Sequence, residues 1–202
     1  MPSRTRISPI LKQHHFMQNK IMLGLAVQPP AGTRPGTTLY PPLAVKLSSE
    51  HSLFDELSDQ WAVVTLVRSS GEVLHNKLSG RLTDSAHPLP TYGTDSSVIR
   101  RRDRAYFYFP DLKIDEPGRY KIRVSLMKME YSKSAPPEGQ ARVCEEVDSR
   151  SILVEEMQPS HMSPRKCLGI MGIGISLLTT LGSPERAFLR VLAEDGQHVP
   201  AP

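Results

Sequence analysis

Four arginines occupy five positions at Arg100-Arg101-Arg102-Asp103-Arg104. A guanidinium offers forked donors that match phosphate oxygens and never loses its charge, so the chemistry open to this cluster is anion binding. The surrounding stretch, 98–128, holds nine basic side chains against four acids. The basic set continues through Lys113, Arg119, Lys121, Arg123 and Lys128. Such a cluster can neutralise backbone phosphates and give salt-dependent DNA binding. It can equally serve as a nuclear import signal. On composition alone, a solvated loop followed by an ordinary polar sheet face is the simpler account.

Other chemistries find no constellation. There is no Gly-rich phosphate loop, no His-Glu-x-x-His and no nucleophile elbow. Cys144 and Cys167 have no metal-ligand spacing, which argues against a zinc site and against a secreted disulfide scaffold. The pair His14-His15 lacks further ligands nearby and reads as solvated tail. The expectation is a protein that is not an enzyme and uses neither metal nor cofactor. A net charge of +4 and a pI near 9.1 leave a polyanionic partner open without requiring one.

The arginine run leads directly into an aromatic strand, Arg104-Ala-Tyr-Phe-Tyr-Phe-Pro-Asp-Leu112, and a Pro-Gly turn at 117–118 launches a second strand. That second strand alternates with a period of two. Tyr120, Ile122, Val124 and Leu126 point one way, and Arg119, Lys121, Arg123 and Ser125 the other. Together the two strands read as a sheet edge able to meet an anion. Further strands are expected at 21–27, 43–47, 61–67 and 151–154, with weaker ones at 73–74, 78–82 and 141–144. Trp61 is expected to anchor the core, and 83–99 to be a polar loop. Ser183, Pro184 and Glu185 open a helix by cap, first-turn proline and dipole-matched acid. Ala187, Phe188, Val191 and Leu192 would line its buried face, and Gly196 would end it. About seven strands and one helix predict an all-β fold, a β-sandwich with a short C-terminal helix and irregular flanks.

By composition the chain divides into a flexible arm, 1–19, and one domain, 20–202. Within that domain lie a core at 20–156, an irregular apolar insertion at 157–182 and the closing helix at 183–196. The uncharged part of the insertion is shorter than the about 20 residues a spanning helix needs, so no membrane association is expected. The N-terminal residues lack the apolar core of a signal peptide, which points to an intracellular protein.

Two blocks are similar to a known family. Val27-Gln-Pro-Pro-Ala-Gly-Thr-Arg34, followed by Leu39-Tyr-Pro-Pro-Leu-Ala-Val-Lys-Leu47, resembles the opening of the velvet domain. The block Tyr106-Phe-Tyr-Phe-Pro-Asp-Leu112 with Glu116-Pro-Gly-Arg-Tyr-Lys-Ile-Arg-Val-Ser-Leu126 resembles that family's most recognisable signature. The match runs over about 20–156. Velvet proteins are fungal regulators of development and secondary metabolism. The resemblance implies an immunoglobulin-like sandwich related to the Rel-homology domain, dimerisation with itself or with other velvet proteins, and nuclear action on duplex DNA. It places Arg34 in the DNA-contacting loop, and the basic cluster adds Arg100, Arg101, Arg102 and Arg104 as candidates. Gly32 stands where many members carry another basic residue, and Pro35-Gly-Thr-Thr-Leu39 replaces a basic run. These departures shift the expected DNA contact towards a partner subunit. The alternative reading is an interaction subunit that touches no bases itself.

Overall fold

The computed structural model describes residues 21–49, 57–89, 104–132, 138–156 and 181–200. The expected arm at 1–19, Arg100, Arg101, Arg102, Cys167 and all of the insertion except Leu181 and Gly182 lie outside these residues. The strands in chain order are β1 (Ile21–Val27), β2 (Gly32–Thr33), β3 (Leu43–Ser49), β4 (Gln60–Arg68), β5 (Val73–Leu74), β6 (Leu78–Ser79) and β7 (Thr83–Ser85). They continue as β8 (His87–Pro88), β9 (Arg104–Phe109), β10 (Lys113–Ile114), β11 (Gly118–Tyr131), β12 (Gly139–Asp148) and β13 (Ile152–Val154), before helix α1 (Ser183–Glu194).

The chain is all-β, with a single α-helix and one 3-10 turn, Leu57–Asp59, among the described residues. A four-stranded antiparallel sheet runs β1-β3-β9-β8. A seven-stranded sheet runs β2-β13-β11-β4-β5, with β12 also on β11 and β7 also on β4. The strands β6 and β10 form a separate ladder. Period-two burial decides which side chains meet. Leu43, Val45 and Leu47 of β3 and Phe107 and Phe109 of β9 share one cluster with Val64 and Leu66 of β4 and Ile122, Val124 and Leu126 of β11. Each such side chain contributes about 1.5–3 kcal/mol on burial, as an upper value.

The second face of the four-stranded sheet is covered too. Val27, Ala44, Tyr106 and Tyr108 pack under Phe188, Leu189 and Leu192 of α1. The aromatic strand is therefore buried on both sides and sits inside its sheet between β3 and β8, and β11 lies inside the other sheet. The expectation of an edge is overturned for both strands. The helix docks as its sequence suggests, with a rotated stripe: Leu189 is buried and Ala187 is exposed. Its N-cap is Gly182, not Ser183. The Glu185 carboxylate accepts the Gly182 N–H at 2.8 Å and also that of Gln28 at 3.3 Å, tying the helix start to the end of β1. At the other end, Gln197 N–H donates to Leu192 and Gly196 N–H to Ala193, a Schellman closure where a stop was expected.

Two further expectations change. Ala62, Val64 and Leu66 take the inward positions of β4, which turns Trp61 outward and leaves it half-buried. The segment read as polar loop holds β7 and β8, which pair with β4 and β9; residues 90–99 lie outside the described ones. Cys144 packs, half-buried, against the shared core, as a structural cysteine would.

Candidate functional site

The described candidate arginines do not converge. Arg34 is exposed in the loop after β2. Gly36 N–H in that loop donates to Ile114 O, and Leu39 N–H to Leu112 O. The loop therefore lies at the end of the molecule where β9 finishes. Arg104 opens β9, opposite Ser48, so it stands at the other end. Lys113 and Arg119 share the Arg34 end, through the Thr38–Lys113 bridge and through Leu153, which pairs with both Gly32 and Arg119. Asp115, Glu116 and Glu155 stand on the same segments, and Lys77 is already paired with Glu116. That end is mixed in sign.

The cationic row of β11 is answered by its neighbour at Arg123. Register places Arg123 opposite Asp148 and Ser125 opposite Glu146 of β12. Arg123 grips Asp148 with two bonds, Nε to Oδ1 at 2.8 Å and a terminal nitrogen to Oδ2 at 3.2 Å, and reaches Glu146 at 3.7 Å. The Arg123 hydrogen bonds hold the Asp148 carboxyl below its ordinary range, and the same bonds raise the Arg123 guanidinium. At Arg123 the cationic face read from sequence is neutralised, while Lys121 and Arg119 lie opposite Val67 and Leu153.

Beyond these pairs the outer face turns apolar. Met127 lies opposite Val143 on one side and Trp61 on the other. Met129 lies opposite Ala141, and Tyr131 opposite Gly139. The pairing of β4 stops at Lys128, so the β11–β12 hairpin continues as a two-stranded ribbon. A side chain at Gly139 would meet Met129 Sδ at 3.0 Å and Tyr131 Cε1 at 3.2 Å, so both residues lie close over this glycine. Tyr131 is 63% exposed and Val143 48%. Methionine and aromatic side chains over a polar rim are the composition of interaction surfaces. Sequence reasoning stopped the strand at Leu126 and missed this surface. The available signal was the same period of two, continued through Met127, Met129 and Tyr131.

A polar cluster links the sheets to α1. The buried Asp84 carboxylate accepts the Tyr108 N–H at 2.8 Å and His87 Nε2 at 3.2 Å. The His87 ring stacks on Tyr106 at 5.1 Å between centroids. The Tyr106 hydroxyl donates to Asp195 and accepts from Gln197 Nε2 at 3.2 Å. The hydrogen bond to Asp84 raises the His87 pKa against the opposing effect of burial. Burial pushes the Tyr108 hydroxyl up to about 12, and burial together with Asp195 raises that of Tyr106. The bonds of Tyr106 and Tyr108 to Asp195 and His198 fix the helix to the sheet. Beside them Trp61, Arg81, Thr83, Asp84 and Ser85 line a shallow cleft.

Among the described residues no three His, Cys, Asp or Glu side chains gather as a metal site. Among the same residues no helix is long and apolar enough to cross a membrane. The chain matches no protein-family model and no curated protein.

Proposed function

We propose that this chain is a velvet-type regulatory subunit, an immunoglobulin-like sandwich of the Rel-homology kind, acting in the nucleus as one half of a dimer with another velvet protein. In this reading the outward apolar ribbon is the partner surface. The carrying observation is the exposure of Tyr131 and Val143 on one face with Met127, Met129 and Trp61. An exposed apolar patch rimmed by charge favours association. The fold assignment draws support from two features. The inner faces of two mostly antiparallel sheets share one core, and the Tyr120 hydroxyl donates to the Pro117 carbonyl at 2.9 Å, a bond of the tyrosine-corner type.

The test uses the double variant Tyr131→Ser with Val143→Ser. It folds alone and loses about 2 kcal/mol or more of affinity for a velvet-type partner, as truncation of a central aromatic does. Unchanged partner affinity sinks the ribbon as the contact surface.

A second reading, direct DNA contact by this chain, is favoured by exposed Arg34 sharing one end with Lys113 and Arg119. Selection from a random duplex pool, with and without partner, separates the two. Enrichment only with the partner favours the interaction subunit. Enrichment by the chain alone, weakening steeply with salt, favours Arg34 as a phosphate or base contact.

A further inference from the structure

The outer face of the four-stranded sheet already holds a helix, and that helix stands apart from the core beneath it. Of the twelve residues of α1, only Phe188, Leu189 and Leu192 are buried. They pack with Val27, Ala44, Tyr106 and Tyr108 in a cluster separate from the one between the sheets. Departure of α1 would uncover this face while the main core stays closed, the arrangement expected of a local cooperative unit. The polar contacts sit at both ends of the helix. Glu185 accepts the Gln28 N–H, Asp195 accepts the Tyr106 hydroxyl, and the His198 carbonyl accepts the Tyr108 hydroxyl at 3.1 Å. Lys46 Nζ lies 4.5 Å from the Phe188 ring centroid. Every one of these contacts reads the chemistry of a helix, and none requires the helix to belong to the same chain.

We propose that this face is a helix-receptor groove, that α1 is its occupant in cis, and that an amphipathic helix of another protein takes the same groove in trans. The trans helix is specified by the one already seated. It carries an acid in its first turn, a Phe-Leu-x-x-Leu stripe and a carboxylate just past its last turn. The inference goes beyond the function proposed above, since neither the ribbon nor DNA contact enters it. Affinity in trans is reduced by the fraction of molecules whose groove is open, so weakening the cis helix must strengthen trans binding.

The probe is a fluorescein-labelled synthetic peptide of residues 181–200, titrated with the full chain. Leu192→Asp, which disables the cis helix, is expected to tighten apparent peptide affinity by about tenfold or more. Lys46→Glu, an exposed change opposite the Phe188 ring, is expected to weaken binding in that background without disturbing the packed floor. No saturable binding to the Leu192→Asp chain, or binding indifferent to Lys46→Glu, overturns the proposal. Hydrogen exchange on the unaltered chain gives an independent check. The α1 amides should be about tenfold or more less protected than those of β4 and β11. Equal protection overturns the proposal, because the helix would then leave only on global unfolding. Self-association of the full chain that excess peptide reverses would assign the donor to a second copy and overturn a heterologous partner.

Discussion

Tyr120 and Gly118 set the start of β11 together. The Tyr120 hydroxyl reaches back to Pro117 O at 2.9 Å, and Gly118 holds φ at +151° directly beneath it. A Cβ there would lie 2.5 Å from the hydroxyl oxygen. Gly118→Ala is therefore expected to cost about 2–4 kcal/mol, combining backbone strain with displacement of the ring. Tyr120→Phe should cost about 1 kcal/mol for the lost hydrogen bond. Urea unfolding of both variants and their double checks this; the double should cost less than the sum, because the clash and the bond involve one hydroxyl. His87 gives a second prediction at this scale. Its folded pKa is raised by the bond to Asp84, so its stabilisation is fully present below the unfolded value of about 6.5 and fades as pH rises through the folded value. Thermal stability should fall over that window in the native chain and fall less in His87→Gln. The Pro-Gly turn before β11 is legible in sequence, but the ring that locks it is not. Trp61 shows why: hydropathy marks it for the core, while the inward register of Ala62, Val64 and Leu66 turns it out.

Strands were legible where their own residues decide them. The period of two in β11, the β-branched run in β4 and the aromatic run in β9 each specify an element before any partner is known. Four of the shortest strands, β2, β7, β8 and β10, exist only through their neighbours, and nothing in their composition announces them, whereas the equally short β5, β6 and β13 lie where apolar pairs and runs mark them. The same limit hid the electrostatics of β11. Arg119, Lys121 and Arg123 read as one cationic row until register sets Asp148 beside Arg123 and Glu146 beside Ser125, and leaves Lys121 and Arg119 opposite Val67 and Leu153. Because the Arg123 bonds depress the Asp148 pKa, this stabilisation is present above the unfolded carboxylate value and is lost as pH falls through the folded one. Asp148→Asn should remove about 0.5–1 kcal/mol at neutral pH, modest because the pair is partly solvated. It should remove almost nothing near pH 2. A denaturant series at the two pH values decides it, and an equal loss at both would mean that packing, not charge, holds β12 to β11 at this point.

At the scale of the molecule, the two described candidate arginines belong to different ends. Five rises of about 3.3 Å separate the first and last residues of β9, so Arg104 and the Arg34 loop stand about 17 Å apart or more along that strand. Sequence order could not reveal this, since only the topology β1-β3-β9-β8 shows which end of β9 meets the loop after β2. The separation makes a prediction about any complex of this chain with duplex DNA. Arg34→Ala and Arg104→Ala share no partner residue and lie beyond the range at which substitutions couple. Their losses in binding free energy should add to within about 0.5 kcal/mol. Each phosphate contact removed should also lower the slope of log affinity against log salt by about one. Affinities of the four proteins measured across a salt series, with and without the partner proposed above, supply both quantities. Two independent decrements would mean that duplex DNA runs along the molecule from one end to the other. A decrement from Arg34 alone would confine the contact to the Lys113 and Arg119 end. Strong coupling between the two would require the ends to meet on one stretch of DNA, which this topology permits only if the duplex bends around the four-stranded sheet, and circular permutation of the bound fragment would reveal that bend.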